Sequence, residues 1–195
     1  MYMRTIRTML VIMLSVALFS SYTYAQSVYN VNKGESEIEI QGTSSIHDWE
    51  MIVEDYRLET QLAKGENNAH LIKNISFSCD VEEITADNRI MDRKTHDALK
   101  EDDHPRIQFT ANYNDSPLAV VSGKTYIKGS LRIAGITRKI QFPVTIEFIS
   151  GSSYRAKGEF SMRMTDFKVE PPTAMMGALE TGDEVTLVFN FVMQQ

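Results

Sequence analysis

Apolar and polar positions trade places with a period of two along most of this chain, which is the pattern of strands with one buried face. Between 124 and 133, Ile127, Gly129, Leu131 and Ile133 stand against Tyr126, Lys128, Ser130 and Arg132. Ile140, Phe142, Val144, Ile146 and Phe148 repeat the pattern. So do Tyr154, Ala156, Gly158, Phe160, Met162 and Met164, opposite Arg155, Lys157, Glu159 and Arg163. Val185, Leu187, Phe189, Phe191 and Met193 form a further set, and two earlier ones are Ile75 to Val81 and Ile107 to Tyr113. Turn chemistry separates the runs at Asn114-Asp115-Ser116-Pro117, Ala134-Gly135, Ser150-Gly151-Ser152 and Thr181-Gly182-Asp183. Strands that are polar on one side and joined by short connections predict an antiparallel meander.

One helix interrupts the strands. In "DNRIMDRKTHDALKEDDHP", Asp87 is a candidate N-cap, Ile90, Met91, Ala98 and Leu99 make a narrow apolar stripe, and Pro105 is a stop. The helix is expected against the outside of the sheet or over one end.

About eight strands with one apolar face must bury it, and a sheet closed on itself does so while removing its edges. The fold expected is therefore all-β: a single antiparallel, lipocalin-like β-barrel of about eight strands with one inserted α-helix. At that strand number the interior is filled by side chains or holds one slim ligand. A β-sandwich is the structural alternative.

The first 25 of the 195 residues stand apart. Arg4 and Arg7 give a basic start, Met9 to Phe19 is apolar apart from Ser15, and Thr23-Tyr24-Ala25 suits a cleavage site. This reads as a secretory signal peptide, the apolar run being too short to span a membrane. Residues 26–195 would then form one exported domain, periplasmic or secreted. Loss of the two arginines takes the formal net charge from −6 to −8. That disfavours nucleic acid as a partner and allows at most transient membrane contact. The single cysteine, Cys79, cannot form an internal disulfide and is in register with Phe77 and Val81, as a small buried hydrophobe would be.

Candidate chemistry concentrates in "GTSSIHDWEM", residues 42–51, where Ser45, His47 and Asp48 suggest a nucleophile, base and orienter. Strand geometry argues against this, because neighbours such as His47 and Asp48 point to opposite faces. His47, Trp49, Met51 and Val53 share one face, suited to an inner wall; Ile46, Asp48, Glu50 and Ile52 share the other. His47 is either a core histidine bonded to a backbone carbonyl or a polar handle for a ligand head group. His96, Asp102, Asp103 and His104 crowd the helix exit, and Met162, Met164, Met175 and Met176 could favour Cu(I). A solvated helix end and a pliable apolar wall explain these clusters more simply. No catalytic residue, metal site or cofactor is expected.

Four stretches also carry a family likeness: "GTSSIHDWEM" (42–51), "MDRKTHDALKEDDHPRIQFT" (91–110), "GSLRIAGITRKIQFPV" (129–144) and "DFKVEPP…GALETGDEVTLVF" (166–189). Together they resemble the YceI-like, polyisoprenoid-binding family, over nearly the whole chain after residue 25 and in the expected order. The resemblance implies an exported lipocalin-like barrel whose interior holds the isoprenoid tail of a lipid, such as a quinone or a polyprenyl phosphate. It carries no catalytic motif and does not name the ligand.

Within the barrel, small residues at Ala111, Gly129, Ala156 and Gly158 interrupt large ones, which would leave space along the axis. The side chains expected to line that space are His47, Trp49, Met51, Phe77, Phe109, Leu131, Phe142, Ile146, Phe160, Met162 and Phe189. A solid-cored interaction module and a methionine- or histidine-based metal-handling protein are the competing readings.

Overall fold

The computed structural model describes residues 26–65, 69–150, 152–174 and 179–195. The stretch expected to be a signal peptide and the methionines at 175 and 176 lie outside these residues.

Thirteen strand segments join in one antiparallel sheet among the described residues. They are β1 (Gln26–Val31), β2 (Glu37–Ser44), β3 (Asp48–Val53), β4 (Arg57–Lys64), β5 (His70–Asp80) and β6 (Ile84–Thr85). After the helix α1 (Arg89–Leu99) come β7 (Arg106–Asn112), β8 (Leu118–Val120), β9 (Gly123–Ile133) and β10 (Ile136–Ser150). The last are β11 (Ser153–Arg163), β12 (Thr173–Ala174) and β13 (Leu179–Gln194). β1, β4, β5, β7, β9, β10, β11 and β13 pair in that order, and β13 returns to β1 through Asn30↔Gln194 and Val31↔Met193. The sheet is thus a closed eight-strand barrel.

Three of its staves are bent. β2 continues β1 along the same edge of β13, β3 continues β4, and β6 continues β5. One-turn 3-10 helices, Lys33–Glu35 and Val81–Glu83, make the first and third bends. Ser36 holds the first against β13: its hydroxyl donates to the Asn32 carbonyl (2.7 Å) and accepts from the Val192 N–H (2.8 Å). A fourth irregularity lies between β10 and β11, whose ladder begins only at Thr145↔Lys157. Just before it stands Pro143, with no N–H to donate. Beyond Pro143 the 3-10 helix Met164–Phe167 lies against both strands, and Arg138 Nε donates to the Asp166 carbonyl at 2.8 Å.

α1 covers one end of the barrel, fixed by side-chain bonds. Thr95 Oγ1 donates to Met51 Sδ (3.4 Å), His96 Nε2 meets the Ile84 carbonyl (2.9 Å), and Lys94 donates to the Thr173 carbonyl. Its N-cap is Asn88, not Asp87: Asn88 Oδ1 accepts from Ile90 N and Met91 N, while Asp87 takes a left-handed φ of 54°. Both residue types cap well, and only the extended backbone at Asn88 aims its oxygen into the first turn. The helix ends at Leu99 with Lys100 left-handed, well before Pro105. Met91, Ala98 and Leu99 pack on the core, but Ile90 is 73% exposed.

Candidate functional site

The barrel encloses a cavity of about 510 Å³. All eleven side chains expected to line the interior do reach it, from β3, β5, β7, β9, β10, β11 and β13 and from the turn before β3. Met51, Phe109, Leu131, Ile146 and Phe189 are buried; Trp49, Phe77, Phe142, Phe160 and Met162 are half-buried. Phe142 is the hub of the wall, with ring centroids 5.5 Å from Phe109, 5.6 Å from Phe160 and 5.9 Å from Phe189.

The glycines on the inward faces are not empty space, as their size alone had suggested. A Cβ on Gly129 would lie 2.4 Å from Cζ of Phe109, and one on Gly158 2.3 Å from Cζ of Phe189. Gly42 stands in the same relation to Trp49, at 2.1 Å from Cζ2. Each aromatic ring lies over a glycine of a neighbouring strand. The lumen is kept clear because rings are drawn to the wall, and the glycines act at one remove.

His47 lies in the turn between β2 and β3, exposed at the cavity's edge instead of in the core. Its Nδ1 faces the Asp48 carbonyl at 2.7 Å, so Nε2 is the nitrogen left to meet a ligand. The three residues of the suspected triad do not act together. Ser45 Oγ accepts from the Glu180 N–H (3.2 Å), and it is Ser44 whose hydroxyl engages the His47 backbone carbonyl (2.7 Å). Trp49 Nε1 donates to the Thr43 carbonyl at 3.0 Å, which satisfies the indole while its ring faces the lumen.

Ile46 and Ile90, 61% and 73% exposed, both reach the cavity, so the cavity meets solvent at the end that carries the β2–β3 turn and α1. Asn88, Lys94, Arg163 and Glu180 reach it at the same end. The opposite end is closed. Thr60, Ile72, Ile146 and Tyr154 form the floor, and the Tyr29 and Tyr154 rings pack there at 5.5 Å. The sequence marks Ile146 and Tyr154 as inward but not β4's share of the floor, although Leu58, Thr60 and Leu62 alternate there. A bulge between Gln61 and Leu62 breaks the period there, burying Leu62 and Ala63 together.

The two histidines of the cluster at the helix exit have other partners. His96 holds the Ile84 carbonyl, and His104 packs beneath Gly135. Met164 sits in a 3-10 helix rather than on the strand, and still faces the cavity. Burial, helped by the Asp80 and Glu83 carboxylates, pushes the Cys79 thiol up to about 12. An unfolded thiol ionises near pH ~8.5. Above that pH the unfolded chain releases a proton that the folded chain retains, so the native state loses stability as pH rises. The loss is about 1.4 kcal/mol per pH unit up to the folded value. Denaturant titrations from pH 8 to 10, below the range where buried tyrosines add to the slope, should show this decline, and Cys79→Ala should flatten it; an equal slope in both would mean that the thiol is not buried.

A closed eight-strand barrel with an apolar, one-mouthed interior is the architecture of lipocalin-like binding proteins. The model of the YceI-like domain matches residues 29–193. The chain belongs to that family. No curated protein matches it. Solved structures share the fold at low identity. BcnA of Burkholderia cenocepacia is 18% identical, with a TM-score of 0.64 over 83% of this chain and 98% of that one. A polyisoprenoid binding domain from Saccharophagus degradans, implicated in plant cell wall breakdown, is 10% identical, with a TM-score of 0.63 over 85% and 97%. The YCEI protein of Campylobacter jejuni is 16% identical, with a TM-score of 0.58 over 74% and 84%.

Proposed function

We propose that this chain is an exported binding and carrier protein, holding the isoprenoid tail of a quinone or polyprenyl phosphate inside its barrel without transforming it. The observation that carries the reading is the cavity itself. Its walls are aliphatic, aromatic and methionine side chains, and apart from the floor its ionisable and amide groups gather at the mouth. Such a site takes a long apolar tail inward and leaves a polar head outside. The polyisoprenoid-binding relative from Saccharophagus supports the same ligand class.

Each methylene moved from water into the cavity gains about 0.8 kcal/mol. Against a bilayer, where the tail already lies in hydrocarbon, that gain nearly cancels. The balance suits a shuttle or store. Ile46 and Ile90 at the rim suit brief contact with a lipid surface, while the acidic net charge works against lasting attachment to an anionic one. The basic start and apolar run of residues 1–25 support export.

Organic extraction of purified envelope-fraction protein, followed by mass spectrometry, tests the reading; about one prenyl lipid per chain is the expected result. A reproducibly empty barrel would favour an interaction module instead. Within the site, His47→Ala should weaken binding of a prenyl quinol, whose hydroxyl can donate to Nε2, by about 1–2 kcal/mol, the scale of one hydrogen bond to a polar group, with thermal stability unchanged. Trp49→Ala should damage both, since a large ring leaves the wall. Equal loss of stability in the two variants, with binding untouched, would make His47 purely structural.

A further inference from the structure

We infer that a tyrosine plug limits the tail: the Tyr29–Tyr154 pair stops its end at the floor, and any length beyond what the cavity holds stays outside the mouth. The inference rests on the binding reading above and adds its chain-length limit.

Two hollows lie along the barrel, with the tyrosine pair between them. Tyr154 lines the main cavity, with Thr60 beside it. Tyr29 lines a second hollow of about 300 Å³ at the far end, together with Leu62, Ala63 and His70 and with the polar Ser27, Lys64 and Gln195. Tyr29 and Tyr154 are 2% and 5% exposed, with ring centroids 5.5 Å apart. Among the described residues Thr60 is the single buried polar one, at 4% exposure. The Thr60 and Tyr154 hydroxyls satisfy each other, so the plug stops the tail by its bulk.

Volume sets the length. The main cavity of about 510 Å³ ends at the plug, and the hollow of about 300 Å³ lies beyond it. Longer tails must run out past Ile46 and Ile90, whose exposed side chains flank the exit.

The test uses Trp49, the chain's single tryptophan, as a fluorescent reporter at the wall. Linear prenyl alcohols of two, three, four, six and eight units are titrated into wild-type protein, Tyr29→Ala and Tyr154→Ala. Wild-type affinity should rise at least about tenfold with each added unit until the cavity is full, because each adds buried carbon. Beyond that length, reached before eight units, it should change by less than about threefold, because the added carbon stays in water. Joining the hollows in either variant should move the plateau to longer tails. An unbroken climb through eight units in the wild type overturns the plug and leaves the carrier reading intact. A plateau unmoved in folded variants overturns it too. Should a variant not fold, the wild-type series still decides. Failure of every alcohol to bind would remove the carrier reading and this inference with it.

Discussion

Replacing Phe189 by Asp is expected to leave either no folded protein or one weakened by several kcal/mol. Phe189 is 6% exposed, stacks on Phe191 at 5.1 Å, meets Phe142 edge-on and covers Gly158. Removing such a ring costs about 3–5 kcal/mol from the lost packing alone. The carboxylate then sits in an apolar lumen without a partner, which costs several kcal/mol more or forces it to take up a proton. Total stability in single domains is about 5–15 kcal/mol, so the sum approaches the whole. Circular dichroism and urea titration would measure it; a cooperative transition within about 1 kcal/mol of wild type would place the ring outside the core.

Gly158→Ala should also destabilise, by about 1–3 kcal/mol, although Ala is ordinarily the better residue inside a strand by about 0.5–1 kcal/mol. The sign is the informative part. A methyl here meets Cζ of Phe189 at 2.3 Å and the Pro143 carbonyl oxygen at 2.7 Å. The ring can swing away, but only into the lumen, and the carbonyl belongs to the backbone. The variant should therefore lose cavity volume as well as stability, and bind a prenyl quinone more weakly than wild type. A more stable Gly158→Ala protein would show that ring and glycine are not in contact.

The last two-thirds of the barrel was readable from the sequence because its strands hold long alternating runs. β9, β10, β11 and β13 are each eleven residues or longer, with at least four apolar or small positions in alternation; the turn expected at Thr181-Gly182-Asp183 instead lies inside β13, where the pairing with β2 shifts register between Thr181 and Val185. The first third was less so, for local reasons. β1 and β2 are interrupted by the bend at Lys33–Glu35, and β4 by its bulge and by Thr60, a polar residue on the inward face. Individual wall positions followed from alternation alone. The space between them did not: glycine spacing suggested room for the wrong reason, since seeing that Phe109 lies over Gly129 requires knowing that β7 and β9 are neighbours. The closed floor was hidden likewise, because Tyr29 and Tyr154 come from opposite ends of the chain.

The seam between β1 and β13 sets the order in which this molecule can form. Hairpins such as β9–β10 join residues close in sequence and can assemble as soon as both strands are available. Asn30 and Val31, by contrast, wait for Gln194 and Met193. Contacts so distant in sequence bear a large loop-closure entropy and come late, and proteins dominated by them fold slowly. Until the seam closes, the Phe-rich inner face of an open, curling sheet is presented to water with both edges unpaired, which is the form most prone to associate with other chains. A hydrophobic guest reaching that intermediate would find a surface to gather around, so filling the barrel and closing it can be a single event.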